Sequence, residues 1–314
     1  MIDFRYHLVS IISIFLALAV GIVLGAGPLQ SNIGSTLGDQ VVALRNEKQD
    51  LNTKLAQSQQ QVAAADEYET AITPQLVAGR LNGHGVVLVV LPSAESKLVD
   101  TTVAALADSG AKTRGTVTLS PDWFDPTKAA VRAAAASAAA ADLGLTSTTT
   151  GDALLREILG RLAVGEPSVE PSANRAKALG ALSDAGLLDS NVPELAPGDI
   201  AVVVSGDYSG SQAEVDSRSQ QVLALAQRLQ SGSRATVVIG GAPVQAAGQP
   251  VTTDAVTAVR ADPRASNEIS TVDHAREGRG PAVVVLTIEA QLAHHVGHYG
   301  TAPDAKAILP QVQQ

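Results

Sequence analysis

The chain has no cysteine, and its one methionine is Met1. Disulfides, thiolate nucleophiles and cysteine-based zinc or copper sites are therefore excluded. Soft thiolate and thioether donors of the kind that suit Cu(I) are missing from the rest of the chain. Freedom from cysteine also fits an exported protein that avoids stray oxidation. Aromatic residues make up only 3% of the sequence while alanine is abundant. That bias predicts helices packed through small residues rather than an aromatic-lined ligand pocket. Basic blocks are absent as well: the formal charge is −9. A broad nucleic-acid footprint needs clustered cations, so no nucleic-acid partner is expected. The acidic balance reads as a soluble, self-repelling surface.

What is present first is a long apolar run. Residues 8–27, "LVSIISIFLALAVGIVLGAG", contain no charge. At about 1.5 Å per residue such a helix covers the roughly 30 Å hydrocarbon core of a bilayer. The run exceeds a usual signal-peptide core and no clear A-x-A site follows, so an uncleaved anchor is expected. Arg5 precedes it and the next cation is Arg45. The positive-inside rule then leaves residues 1–7 as a cytoplasmic tail and exports everything after Gly27. Ala17, Gly21 and Gly25 recur every four residues. The GxxxG pair Gly21 and Gly25 lets two such helices approach closely in lipid.

Residues 28–75 read as a coiled-coil stalk. Leu37, Leu44 and Leu51 fall at heptad d, with Val41, Lys48 and Leu55 at a and Val62 continuing the seam. Leucine at d with β-branched and polar residues at a suits a two-stranded coil. The remaining positions are polar, and Pro74 is expected to end the run. A helix lying on its own C-terminal domain is the alternative. Anchor and heptads together predict a homodimer or higher homo-oligomer through Gly21, Gly25 and the Leu37–Val62 seam.

From about residue 80 to 300 the pattern is α/β. "GVVLVVLPS", a helical stretch and "TVTLS" form one β-α-β unit; "DIAVVVSGDYSG", a second helix and "ATVVIGG" repeat it. Continuous β-branched runs mark strands buried on both faces. "PAVVVLTIEA" reads as a further buried strand. Alanine-rich "KAAVRAAAASAAAADLG", the helix around Leu154 to Leu162 and "VGEPSVEPS" supply helical cover and a linker. The fold class expected is thus α/β: an N-terminal transmembrane helix and coiled-coil stalk, then a mostly parallel, Rossmann-like α/β domain. Residues 301–314 read as a flexible tail.

The loops offer little catalytic signal. "SGDYSG" (205–210) follows a strand without GxGxxG spacing, and "IGGAP" (239–243) lacks the P-loop lysine. Ser205 and Ser209 are outside any GxSxG elbow. Ser270, Asp273 and His274 in "STVDH" are too close in sequence to line up as nucleophile, base and orienter. No enzyme is expected. The densest cluster of chemistry is "HHVGHYG", which makes His294, His295 and His298 candidate metal ligands, because imidazole suits Cu(II). A glycine-rich turn closing the last unit, with His or Tyr bonded to backbone, explains the same residues.

"MIDFRYHLVSIISIFLALAVGIVLGAG", "EISTVD" (268–273) and "HVGHYGT" (295–301) together resemble the actinobacterial copper transporter family. The resemblance runs end to end in the order anchor, stalk, α/β body and Gly-His-Tyr-Gly segment, with a more divergent middle. It implies a single-pass envelope protein tied to copper efflux or copper homeostasis, as a pore or pore component, with outer-membrane association. It also implies a copper ion as the candidate ligand, with no ligand residues assigned. Related coiled-stalk members imply the alternative, a cell-division or cell-wall scaffold recruiting a membrane protein partner at the septum. A third reading is a small-molecule-binding body that uses the loops near 205–210.

Overall fold

The structure, a computed structural model, describes residues 4–26, 28–165, 171–241, 243 and 249–311. The side chain of Leu37, the first heptad position, lies outside the described residues, as do Gly27 and linker residues 166–170. The chain divides into residues 1–64 and 65–314.

Helix α1 spans Phe4–Ala26 and α2 spans Pro28–Val77. Residues Phe4–Gly25 have a mean hydropathy of 2.8, and none of that apolar surface is buried within the chain. Helix α2 is a single run of 50 residues. Up to residue 64 its Val41, Leu44, Leu51, Leu55 and Val62 are all exposed. Pro74 does not stop it. The helix continues to Val77, and the Ala78 N–H still reaches the Pro74 carbonyl at 3.1 Å. A proline this near a helix end removes one donor and leaves the following turn intact.

The first half of the body runs β1 (Gly85–Val90), α3 (Ser96–Asp108), β2 (Lys112–Leu119), α4 (Ala129–Asp142), α5 (Gly151–Ala163), α6 (Ser172–Asp184) and β3 (Leu188–Ser190). There follow β4 (Ile200–Val204), β5 (Tyr208–Gly210), α7 (Gln212–Gln230), β6 (Ala235–Ile239), β7 (Val251–Thr253), α8 (Ala255–Ala261) and α9 (Ala265–Glu268). The last elements are β8 (Ser270–Val272), α10 (Gly280–Leu292) and β9 (His298–Tyr299).

Seven strands form one sheet in the order β3-β2-β1-β4-β6-β8-β9, parallel except for β3. The short pair β5 and β7 stands apart and is antiparallel. Strands β1, β4 and β6 are buried throughout, as continuous β-branched runs require when both sheet faces are covered. Successive residues of β1 feed opposite layers. Val87 and Val89 join the core beneath α4 to α9, while Val86, Leu88 and Val90 join the core beneath α3, α10 and the end of α2. Alanine-rich α4 buries Ala135, Ala136, Ala139 and Ala140, the one-and-four spacing of a narrow helical face, and packs on α5 and α6.

The run "PAVVVLTIEA" is helix, not strand. It forms α10, with Pro281 in its first turn and Val283, Val284, Val285 and Ile288 buried. A helix buried nearly all round loses its polar face, and a short β-branched run then mimics a strand in sequence. The crossovers through α3 and α7 leave opposite faces in opposite directions and so share one hand. Helix α10 breaks this pattern. It lies on the α3 face although the chain moves from β8 to β9 in the same direction as from β4 to β6, giving the opposite, rarer hand. Residues 300–307, part of the segment expected as a loose tail, are hydrogen-bonded to the body: Gly300 N–H donates to Ala307 O at 2.8 Å and Lys306 N–H to His298 O at 2.9 Å.

Candidate functional site

The histidine tract begins where α10 ends. His294 has φ 65°, and its N–H reaches Gln291 O while His295 N–H reaches Ala290 O. This pair of bonds is a Schellman cap with His294 in the left-handed position that glycine usually takes. Both imidazoles are exposed. His295 borders a cleft of about 470 Å³ shared with Arg80, Glu289, Tyr299 and Leu309.

His298 is different. It is buried on β9, with Nε2 2.9 Å from Ser266 O and Nδ1 3.0 Å from Thr271 Oγ1. A carbonyl only accepts, so Nε2 carries the proton and donates. With the one proton of a neutral ring on Nε2, Nδ1 accepts from the Thr271 hydroxyl, whose oxygen also accepts from Arg260 Nε at 2.8 Å. The ring is then neutral with both nitrogens engaged, and burial holds its pKa below the ordinary histidine value. The three histidines are therefore not brought together. Among the described residues no group of three or more His, Asp or Glu side chains is arranged to hold a metal ion.

The two distinctive motifs near the C-terminus meet in one clamp. Arg260 of α8 donates to Asp273 Oδ2 at 2.7 Å, to Asp304 Oδ1 at 2.8 Å and to the Tyr299 carbonyl at 3.0 Å. Arg260 and Asp273 are both almost fully buried. Asp273 Oδ1 accepts from Thr301 N–H at 2.8 Å. Gly300 sits at φ 149° over that carboxylate, where a Cβ would fall 2.0 Å from the Asp273 carboxyl carbon. Gly297 likewise lies under the Tyr299 phenol, with room for no side chain. "TVD" and "GHYG" are thus neighbouring strands, β8 and β9, locked by a buried ion pair.

The other concentration of polar groups lies at the carboxyl ends of the parallel strands, where open α/β sheets usually place ligands. Between β1 and β4 the crossovers diverge to opposite faces, but the crevice floor is closed. Gly206 packs on the Ser93 backbone so tightly that a Cβ would fall 2.0 Å from the Ser93 carbonyl carbon. Arg276 ties three loops through Asp207 at 3.1 Å and Glu95 at 3.3 Å. Asp254 caps α8, its Oδ1 accepting from Thr257 N–H and hydroxyl, both at 2.8 Å. Its Oδ2 is buried without a partner. Burial, reinforced by the nearby Asp207 charge, pushes the Asp254 pKa up to about 6. His274 is buried with neither ring nitrogen bonded, and burial lowers its pKa. Ser205 is spent structurally: its Oγ donates to Gly206 O and accepts from Ala255 N–H. Ser270 donates no nucleophilic geometry to His274 either; its Oγ accepts from Gly297 N–H at 3.2 Å.

On the α7 side of these strand ends is a cleft of about 440 Å³ bordered by Pro121, Phe124, Tyr208, Glu214 and Arg218. Sequence reading missed it. The chain's low aromatic content concealed that Phe124 and Tyr208, far apart in sequence, converge on one arginine.

These features define a membrane-associated protein with an apolar N-terminal helix and a mixed α/β body on a mostly parallel sheet. The chain belongs to the family described as copper transport outer membrane protein, MctB, whose profile matches residues 1–310. It is 27% identical to the copper transporter MctB of Mycobacterium tuberculosis (strain ATCC 25618 / H37Rv), covering 98% of this chain and 99% of that protein. It is 26% identical to the copper transporter MctB of Mycobacterium leprae (strain TN), covering 99% of this chain and 100% of that one.

Proposed function

We propose that this chain is a non-enzymatic, single-pass envelope protein that serves copper efflux as one member of an assembly. The observation that carries this reading is α1: a charge-poor span of hydropathy 2.8 with no chain of its own to bury it. One helix encloses no channel, so conduction belongs to an oligomer or to a partner. In this reading residues 1–7 are cytoplasmic and the Rossmann-like body is exported. Gly21, Gly25 and the exposed apolar positions of α2 up to Val62 supply the homodimer seam as a coiled-coil stalk. Copper contact at the histidine tract falls to the exposed His294 and His295, because His298 is held by Thr271 and Ser266.

A strain lacking the chain, grown under copper stress, should accumulate more copper than its parent. Unchanged copper together with misplaced septa would instead favour the scaffold reading, which the exposed leucines of α2 also support as a partner seat. In the purified chain, His295→Gln should weaken Cu(II) binding and leave the melting temperature alone. His298→Gln should do the reverse. No measurable copper affinity in the parent removes the histidine site and leaves the anchor reading standing.

A further inference from the structure

Arg218 of α7 stands out among the arginines of the body. Its guanidinium lies 5.2 Å from the Phe124 ring centroid and 4.7 Å from that of Tyr208. Both rings are buried. The guanidinium makes no hydrogen bond or ion pair with any described residue, and its Nε is shut away from solvent without a partner. By contrast Arg132, Arg175 and Arg260 each meet a carboxylate: Asp152, Glu194 and Asp273. A half-buried cation held only by ring faces has given up much of its hydration, and its planar fork of donors stays unspent. Contact with the faces of two buried rings also limits where that fork can point, which removes much of the entropic cost of using it.

The cleft that Arg218 borders has the dimensions and chemistry of a small-molecule site. Its volume of about 440 Å³ lies within the usual range for such sites, roughly 300–1,000 Å³. Pro121, Phe124, Pro126 and Val215 give it apolar walls. The first turn of α7 opens onto it through Ala213 and Glu214. Glu214 does not answer the cation. Its Oε2 accepts from the Ser211 N–H at 2.9 Å and hydroxyl at 2.7 Å, completing the helix's own capping box. The Ser211 cap takes the Glu214 N–H, so the earlier N–H groups of α7 add their partial positive charge to the same end. The place is also where fold geometry puts ligands: the loops after β2 and β4, on either side of β1.

We propose that this cleft binds a small carboxylate-bearing molecule with an apolar body. The carboxylate pairs with the Arg218 fork, and the apolar part lies against Phe124, Tyr208 and the two prolines. A planar carboxylate matches the guanidinium donor for donor. This site is independent of the copper reading and shares no residue with the histidine tract.

The protein carries its own reporter, because Trp123 is the only tryptophan in the sequence and is buried next to Phe124. The full chain in detergent would be titrated with cyclohexanecarboxylate while Trp123 emission is followed. Cyclohexanecarboxamide serves as the uncharged control and inorganic phosphate as the competing anion. Arg218→Gln, run in parallel, cancels any effect of probe dissolved in micelles. The expected result is a saturable emission change with the carboxylate and none with the amide. Affinity should fall by about tenfold or more in Arg218→Gln, the loss of one charge-assisted pair. Arg218→Lys keeps the charge without the fork and should also bind more weakly. If Arg218→Gln does not fold, Arg218→Lys carries the test, and unchanged affinity in it overturns the proposal. So does saturation by phosphate without saturation by the carboxylate, or no saturable response to either. That last outcome would leave Arg218 as packing between the β2 and β4 loops.

Discussion

Residues 4–64 and the body from residue 65 onward solve the burial problem in opposite ways. In α1 every large apolar side chain from Leu8 to Leu24 is exposed, and along α2 Val41, Leu44, Leu51, Leu55 and Val62 are exposed too. In the body the same residue types line two cores on either face of one sheet. The body therefore has an internal answer to the hydrophobic effect, while the helical region needs an external one. For α1 that partner is lipid, given its length and hydropathy. For α2 the chain is too polar for lipid, and a second helix is the partner we propose. The contrast teaches that exposure means different things in different settings. An exposed leucine in a single well-packed body is unremarkable, but a heptad-spaced row of them along one helix is what the pairing we propose would cover.

The largest expected effect breaks the body's side of the comparison. Arg260→Ala takes the guanidinium away from buried Asp273, whose remaining neighbours are the Thr301 and Ala302 N–H groups and, at 3.9 Å, His274 Nδ1. Breaking a buried pair in this way typically costs roughly 3–5 kcal/mol. Chemical denaturation of the detergent-solubilised chain should show that loss in the β8–β9 region. A change under about 1 kcal/mol would mean the clamp is not holding the two motifs together.

The next effect concerns Asp254. Its carboxyl is raised by burial from 3.8 to about 6, so the folded state holds this proton more tightly than the unfolded chain does. Its contribution to stability is fully present below the unfolded pKa and is lost as pH rises through the folded one, near 6. His274 acts in the opposite sense at the acid side: its lowered pKa means that stability present above its unfolded value is lost as pH falls. Asp254→Asn should abolish the loss between about pH 4 and 6, a gain at neutral pH on the order of 2 kcal/mol. Parallel pH–stability curves for parent and variant would show that Asp254 Oδ2 is hydrated rather than orphaned.

The smallest effect on the body comes from Leu44→Asp, which should leave its unfolding unchanged. If α2 pairs with a second copy, the same substitution places a charge in the seam and weakens association roughly tenfold or more. Mass measurement of the chain in detergent separates these quantities. A monomeric parent would remove the two-helix explanation for the exposed heptad and sharpen the case for a different partner.

Legibility in the sequence followed the range of the interactions. Strands β1, β4 and β6 were readable because burial on both faces leaves an unbroken β-branched signature. The apolar helix α1 was readable because a bilayer demands length and apolarity in one continuous segment. Helix α10 was misread because "PAVVVL" is compatible with a buried strand until its neighbours β6, β8 and α3 are known. The pair β5 and β7 left no signal at three residues each. At the histidine tract, spacing alone made His294 and His298 equivalent candidates. The turn at His294 separates them, sending one ring to solvent and the other into bonds with Thr271 and Ser266.

By itself the sequence determined the order of the parts: an apolar helix, a long polar helix with an apolar seam, and an α/β body of parallel strands. These depend on composition and periodicity within short windows, where backbone geometry maps position directly onto a face or a span. Tertiary structure alone decided which polar groups meet. Arg260 finds Asp273 and Asp304, and Arg218 comes to rest over the rings of Phe124 and Tyr208 with its donors unspent, only after β-strands distant in the chain have been laid side by side. Such encounters leave no periodic trace, because a charge costs or stabilises according to what burial removes and which partner the fold supplies.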